Sequence, residues 1–378
     1  MKKIWIGIGI IAITILVIVL VVTQITKKAE EIKIGVVLPL TGDAAMYGAW
    51  SKNGMELAAA ELNQNNQSPR IKLIYEDSQS TAQGDINSFQ KLISVNKVSV
   101  AVGFILSNGA LACAPIANSS KVVLLSTSAS TEKFKDAGDY VFRLRESGII
   151  HGNEMAKYAK RFLNAKNAGL IYANAENGIT YASSFGKEFG SLGGQVVYDE
   201  KYTEKETDFR SILVKLKEKN PDVVYLAGLA PDMGNILRQA RELGIKTQWL
   251  ASPGAENPKL LELAKEASEG LIFTTPAFNP ESNENNIRNF VKKYKDIYGE
   301  TPEFLAANGY DAIMILNKIT REYGISSEAI KNGLYQTKDF PGIGGKISFD
   351  EFGEVIKLVL FKKILNGKFV ILSLSEKP

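Results

Sequence analysis

Cysteine and histidine are nearly missing from this chain. Each occurs once in 378 residues, as Cys113 and His151. A single cysteine excludes an internal disulfide and any site built from several thiolates. A single histidine excludes a histidine-based metal cluster. A Ser-His-Asp triad would have to use His151, and no G-x-S-x-G turn exists to present a serine to it. The phosphate-cradling pattern G-x-x-x-x-G-K-[ST] is absent, and Gly342-Ile343-Gly344-Gly345 precedes a strand-like run instead of opening a helix. Charge of one sign is scarce as well: the net charge is +4, and +2 once Lys2 and Lys3 are set aside. So small a surplus argues against a nucleic-acid partner. The pairs Glu76-Asp77 and Glu204/Glu206 read as solvated loop charges. Cys113, in the small-residue stretch ALACAP, reads as a buried structural thiol, and His151, at the polar start of a helix, as a surface or capping residue. No cofactor, no metal site and no enzyme are expected.

What the chain does have begins with a long apolar run. Lys2 and Lys3 precede an uncharged stretch over 4–26, and its centre, 8–22, is almost wholly Ile, Leu, Val and Ala. About 20 apolar residues suffice to cross a bilayer as a helix. The exit, Val21-Val22-Thr23-Gln24-Ile25-Thr26, carries no A-x-A cleavage pattern, and no cysteine follows closely enough for a lipoprotein anchor. An uncleaved signal anchor over 1–29 is therefore expected ahead of a cleaved signal peptide. The lysine pair then stays in the cytoplasm, and 30–378 form a soluble extracytoplasmic body.

Beyond the anchor, strand-like and helix-like stretches alternate almost without a break. The run over 31–40 (EIKIGVVLPL) predicts a strand, followed by a helix over 44–63, a strand over 71–76 and a helix over 81–95. Two more strands, 98–104 and 122–125, flank a small-residue helix. The alternation restarts after 148 and continues to about 274, with Ile236, Leu237, Ala240 and Leu243 on one helix face. Such alternation implies parallel sheets covered on both faces. Each run, 32–130 and 168–274, is long enough for its own sheet, and no flexible spacer separates them. Residues 140–146 (YVFRLRE) read as an extended, partly apolar crossing between two lobes. Two further helices are expected over 286–319, then a hairpin-like section over 340–374 with a turn at Asn366-Gly367.

The strand-to-helix junctions carry the polar and aromatic residues that suit recognition. Tyr47 follows the first strand, Ser107-Asn108 the third, and Ser126 to Ser130, Ala129 included, the fourth. At such ends backbone N–H groups are unpaired and the helix dipole is positive, which favours a small anion such as a carboxylate. Second-lobe counterparts are 173–178, 228–232 and 252–256. With both sheets pointing these ends at each other, the junctions line one cleft.

Four stretches in order carry a family resemblance: 39–63 (PLTGDAAMYGAWSKNGMELAAAELN), 102–117 (VGFILSNGALACAPIA), 124–130 (LLSTSAS) and 231–249 (PDMGNILRQARELGIKTQW). The chain resembles the type I periplasmic binding proteins of the branched-chain amino acid (Leu/Ile/Val) class of ABC transporters, over 33–374. The resemblance implies an α/β fold of two Rossmann-like lobes joined by three crossing strands, closing on a ligand like a hinged trap. It implies a first lobe of 30–146 and 276–350 and a second of 147–275 and 351–378. It implies a permease partner and no catalysis. It also implies that Ser107, Ser128 and Ser130 hold the ligand carboxylate and that Tyr47 packs beside it. In the second lobe the family pattern changes: Asn177-Gly178 replaces Tyr-Gly, Leu229 replaces an aromatic, and Pro253 falls where amino-acid binders carry an acid. Glu256 or Asp232 is then the expected ammonium partner, unless the ligand has no ammonium and is a simple organic acid, an aromatic acid or an amide. A sensory ectodomain built on the same trap is the alternative reading.

Overall fold

A computed structural model describes residues 31–64, 70–355 and 357–372. The expected N-terminal anchor lies outside them, and no helix among the described residues is long and apolar enough to cross a membrane. The first sheet holds β1 (Glu31–Leu38), β2 (Arg70–Asp77), β3 (Val100–Gly103), β4 (Val123–Ser126) and β5 (Val141–Arg143) in the order β2-β1-β3-β4-β5, all parallel. Strands β3 and β4, VAVG and VLLS, are buried at every residue, as both-face coverage requires.

The second sheet repeats that order with β6 (Asn167–Ala173), β7 (Gln195–Tyr202), β8 (Val223–Ala227), β9 (Gln248–Ala251) and β10 (Ile272–Pro276) arranged β7-β6-β8-β9-β10. A small ribbon of β11 (Phe340–Gly342) and β12 (Gly345–Ile347) stands apart. The final hairpin, β13 (Val359–Leu365) and β14 (Lys368–Ile371), extends the second sheet antiparallel through β10. Its turn is Asn366-Gly367, with φ of 51° and 67°. Two consecutive positive φ values are what a two-residue hairpin of this kind needs.

The chain passes between the lobes three times. Leu144 and Phe278 belong to the first core, whereas Met155 and Phe273 belong to the second. The third passage lies later than the expected 350/351 boundary. Val355 bridges Phe349 and is buried in the first core, so the chain leaves that lobe only beyond it. The region after 276 adds helices Asn285–Tyr298 and Phe304–Glu322 to the first lobe, and also a third, Ser327–Gln336, that falls outside the two expected. Its Ile330 and Leu334 are fully buried.

Helices Ala45–Gln64 and Phe304–Glu322 meet with backbones nearly touching. A Cβ on Gly54 would lie 1.9 Å from the Ala306 carbonyl oxygen, and one on Gly309 2.3 Å from that of Ser51. Gly54→Ala is expected to force the helices apart and cost about 3 kcal/mol. A lowered thermal midpoint of the full-length protein would check this, and an unchanged midpoint would mean the helices yield freely.

Candidate ligand-binding cleft

The β2-β1-β3 order puts a topological switch between β1 and β3, and the second sheet has the same switch between β6 and β8. Ligands bind beyond the carboxyl ends of strands at such points. Tyr47 and Ser107 follow β1 and β3; Asn177 and Leu229 follow β6 and β8. All four line a single small cavity of about 50 Å³ between the lobes, together with Ser128 and Ser130. An outer cavity of about 450 Å³ shares Ser107, Asn177 and Leu229 and adds Asn108 and Asp232. The two are neighbouring parts of one cleft.

The first-lobe wall is built by two hydroxyls. Gly103 (φ 110°) and Phe104 (φ 47°) turn the chain out of β3 in left-handed conformations and deliver Ser107 to the start of its helix. Ser107 Oγ accepts hydrogen bonds from the amides of Ser130 (3.0 Å) and Thr131 (3.3 Å). Ser126 Oγ donates to the Phe104 carbonyl and accepts from the amides of Ala129 (2.8 Å) and Ser128 (3.3 Å). This corrects one expectation: Ala129 is fully buried, its amide is committed to Ser126, and it lines neither cavity.

Tyr47 is more than the apolar wall expected of it. Its ring packs edge-on against Trp50, while its hydroxyl donates to the Gly254 carbonyl (3.1 Å) and accepts from the Ala230 amide (3.3 Å), both in the other lobe. Burial pushes its pKa up to about 12. Asn108 is a second clasp, its Oδ1 accepting from the Glu176 amide (2.9 Å), and Lys133 pairs with the Glu176 carboxylate at 2.7 Å. The lobes are closed on each other through these contacts.

The two expected ammonium partners part company. Glu256 is buried and committed on both oxygens, one to Thr275 Oγ1 and the other to Lys362 Nζ. It lines neither cavity, and Lys362, on β13 and 106 residues away in sequence, already pairs with its charge. Asp232 does face the outer cavity, where Asp43, Glu204 and Glu206 join it. Glu204 and Glu206 are exposed loop charges, as expected, and also line this outer cavity. Burial, then the nearby charges of Glu204 and Asp43, push the Asp232 carboxyl up to about 7. The folded protein therefore holds that proton more tightly than the unfolded chain, and the Asp232 contribution to stability is lost as pH rises from about 4 to 7. Asp232→Asn removes this loss. Its stability should climb above that of wild type across that window and stay above it at pH 8, by on the order of a few kcal/mol, read as a raised melting midpoint. Parallel pH profiles for the two proteins would contradict the burial of this charge.

Other polar groups also depart from expectation. Asp77 is no free loop charge: its Oδ1 accepts from the amides of Leu40, Thr41 and Gln79 and its Oδ2 from Thr41 Oγ1, fixing the turn that leads from β1 to Tyr47. His151 is fully buried, with Nε2 2.6 Å from the equally buried Glu146 Oε1. Gly152 admits this packing, since a Cβ there would meet Ser184 Oγ at 2.0 Å.

The residue that sequence reasoning missed is Arg145. It lines the inner cavity, only 6% exposed, with its guanidinium over the Phe304 ring. One signal for it was present: in YVFRLRE an extended chain puts Arg143 and Arg145 on the same face, amid apolar neighbours. Among the described residues no group of three or more His, Cys, Asp or Glu side chains is placed to hold a metal.

Comparison with known proteins gives this geometry a lineage. The family described as periplasmic binding protein matches residues 31–366. The chain belongs to the periplasmic binding protein family. Within it, the type I, Leu/Ile/Val-binding class supplies the relatives. A leucine binding protein, LivK, from Thermotoga maritima is 31% identical, with a TM-score of 0.86 over 90% of this chain and 98% of that one. LivJ of Streptococcus pneumoniae, a branched-chain amino acid transporter substrate binding protein solved with isoleucine, is 27% identical with a TM-score of 0.83, covering 91% and 99%. The Leu/Ile/Val-binding protein of Citrobacter freundii is 29% identical over 253 residues, 66% of this chain and 68% of that protein. The family is one of extracytoplasmic solute-binding proteins of ABC transporters, and these relatives are binding proteins, not enzymes.

Proposed function

We propose that this periplasmic binding protein captures a small carboxylate-bearing molecule between its lobes and delivers it to the permease of an ABC importer. Ser107 carries the reading. A serine hydroxyl has two acceptor lone pairs and one hydrogen. Both lone pairs are taken by the Ser130 and Thr131 amides, so toward the cavity Ser107 can act only as a donor. A fixed donor at a helix N-terminus favours an anion. The names of the Leu/Ile/Val-binding relatives support an amino acid or a related acid as the ligand class. Contacts to Ser107, Ser128 and Ser130 from one lobe, and to Asn177 and Leu229 from the other, favour the closed form. The uncleaved segment over 4–26 holds the protein at the outer face of the membrane, with residues 30–146 and 276–355 as the first lobe and the rest of the body as the second.

Titration calorimetry of the full-length protein in mild detergent tests the ligand class. Its panel is simple aliphatic and aromatic acids, branched-chain amino acids, and the methyl ester of each. Acids should bind and their esters should bind at least 10-fold more weakly, since esterification removes the anion. Esters that bind as tightly as their acids would reject the reading.

A further inference from the structure

We infer that Arg145 fills the place of the ligand's ammonium, so that the inner cavity selects carboxylic acids that carry no amine beside the carboxylate. The inference rests on the carboxylate reading above and narrows it. The inner cavity is lined by one formally charged side chain, the guanidinium of Arg145, and by no carboxylate. A buried ammonium needs an acceptor or a counter-charge, and its effective desolvation otherwise costs several kcal/mol.

The carboxylates expected as the ammonium's counter-charge are out of reach, and Ser128 is already bonded to the Arg145 cation. Nη1 of Arg145 donates to both the carbonyl oxygen and Oγ of Ser128, each at 3.1 Å, and Nη2 donates to Tyr181 Oη at 2.8 Å. Glu256 is closed off by Lys362 and Thr275. Asp232 lines the outer cavity and not the inner one. An ammonium brought to the inner cavity would therefore meet a like charge where it needs an opposite one.

The same residue supplies what an acid needs. Three of the five guanidinium N–H groups are committed, and Nε is buried with no partner. An unpartnered buried donor on a cation is costly unless something accepts from it. A carboxylate accepting from the Nε side of the fork and from Ser107 satisfies both. The Phe304 ring beneath the guanidinium holds that plane in place.

The experiment compares matched pairs on the full-length protein by calorimetry: glycine with acetate, leucine with 4-methylpentanoate, phenylalanine with 3-phenylpropanoate. The deaminated acid of the best-binding pair should bind at least 100-fold tighter than its amino acid, and Arg145→Met should abolish most of that preference. Arg145→Lys keeps the charge without the fork and should retain only part of it. An amino acid that binds as tightly as its deaminated partner overturns the inference while leaving carboxylate capture standing. Failure of every acid, aminated or not, removes carboxylate capture and the inference with it. If Arg145→Met does not fold, the wild-type pairs decide the matter alone.

Discussion

Ser107→Ala is expected to weaken binding of a carboxylate ligand by roughly 10- to 150-fold, the range for one hydrogen bond to a charged group. The loss has two sources. The alanine variant lacks the hydroxyl hydrogen that faces the inner cavity. It also strands the amides of Ser130 and Thr131, which now end on Ser107 Oγ, so the turn that forms the rest of the wall loosens. Ser107→Thr keeps a hydroxyl in place and should recover most of the affinity. Calorimetry on the three proteins separates these cases. An affinity for acids unchanged by Ser107→Ala would mean that the hydroxyl organises the turn without touching the ligand.

The second large effect lies behind the cleft. Glu146→Ala is expected to cost about 3–5 kcal/mol of stability, as removal of one member of a buried polar pair does. Glu146 and His151 are both fully buried, 2.6 Å apart, where the chain first crosses between lobes. Burial opposes the Glu146 charge, but the His151 hydrogen bond and the charges of Arg145 and Lys357 outweigh it and hold the carboxyl below its usual range. Without that carboxylate, Arg145 and Lys357 lose the anion they share. Burial also holds the His151 imidazole below its usual 6.5 against the pull of Glu146. A neutral ring donating from Nε2 to the carboxylate fits both directions.

The pH sign follows from the lowered histidine pKa. The unfolded chain takes up the imidazole proton near pH 6.5, and the folded chain only at lower pH. The contribution of His151 to stability is thus complete above 6.5 and is lost as pH falls below it. His151→Gln, which keeps an N–H donor but cannot titrate, should be less sensitive to acid than wild type between pH 6.5 and 5. Thermal melts of wild type, His151→Gln and Glu146→Ala check both statements. An equal loss of midpoint in acid for wild type and His151→Gln would contradict them.

The fold was largely legible because its signals are local. VAVG and VLLS announce strands buried on both faces, and the Asn366-Gly367 pair announces the last hairpin. The junction residues Tyr47, Ser107, Ser128, Ser130, Asn177 and Leu229 were legible for the same reason, since a strand end next to a helix start is a sequence pattern. All six line the inner cavity. What stayed hidden depends on which distant residues meet. Glu256 looked like a ligand partner because Lys362 is a hundred residues away in sequence. His151 looked exposed because the polar start of a helix is usually solvated, and its packing against the helix Glu176–Ser191 and against Glu146 buries it. Arg145 was read as part of a crossing strand. Its role depends on Ser128 and Tyr181 standing on either side of it.

The decisive question is where an acid sits once bound. A crystal structure of the protein with the acid that binds tightest in the calorimetric panel measures this directly. The carboxylate should lie between the lobes, within hydrogen-bond distance of Ser107 Oγ and of the Arg145 guanidinium, with Tyr47 still bonded to Gly254. A carboxylate found outside the cleft, or in the cleft but out of reach of Ser107, would contradict this placement.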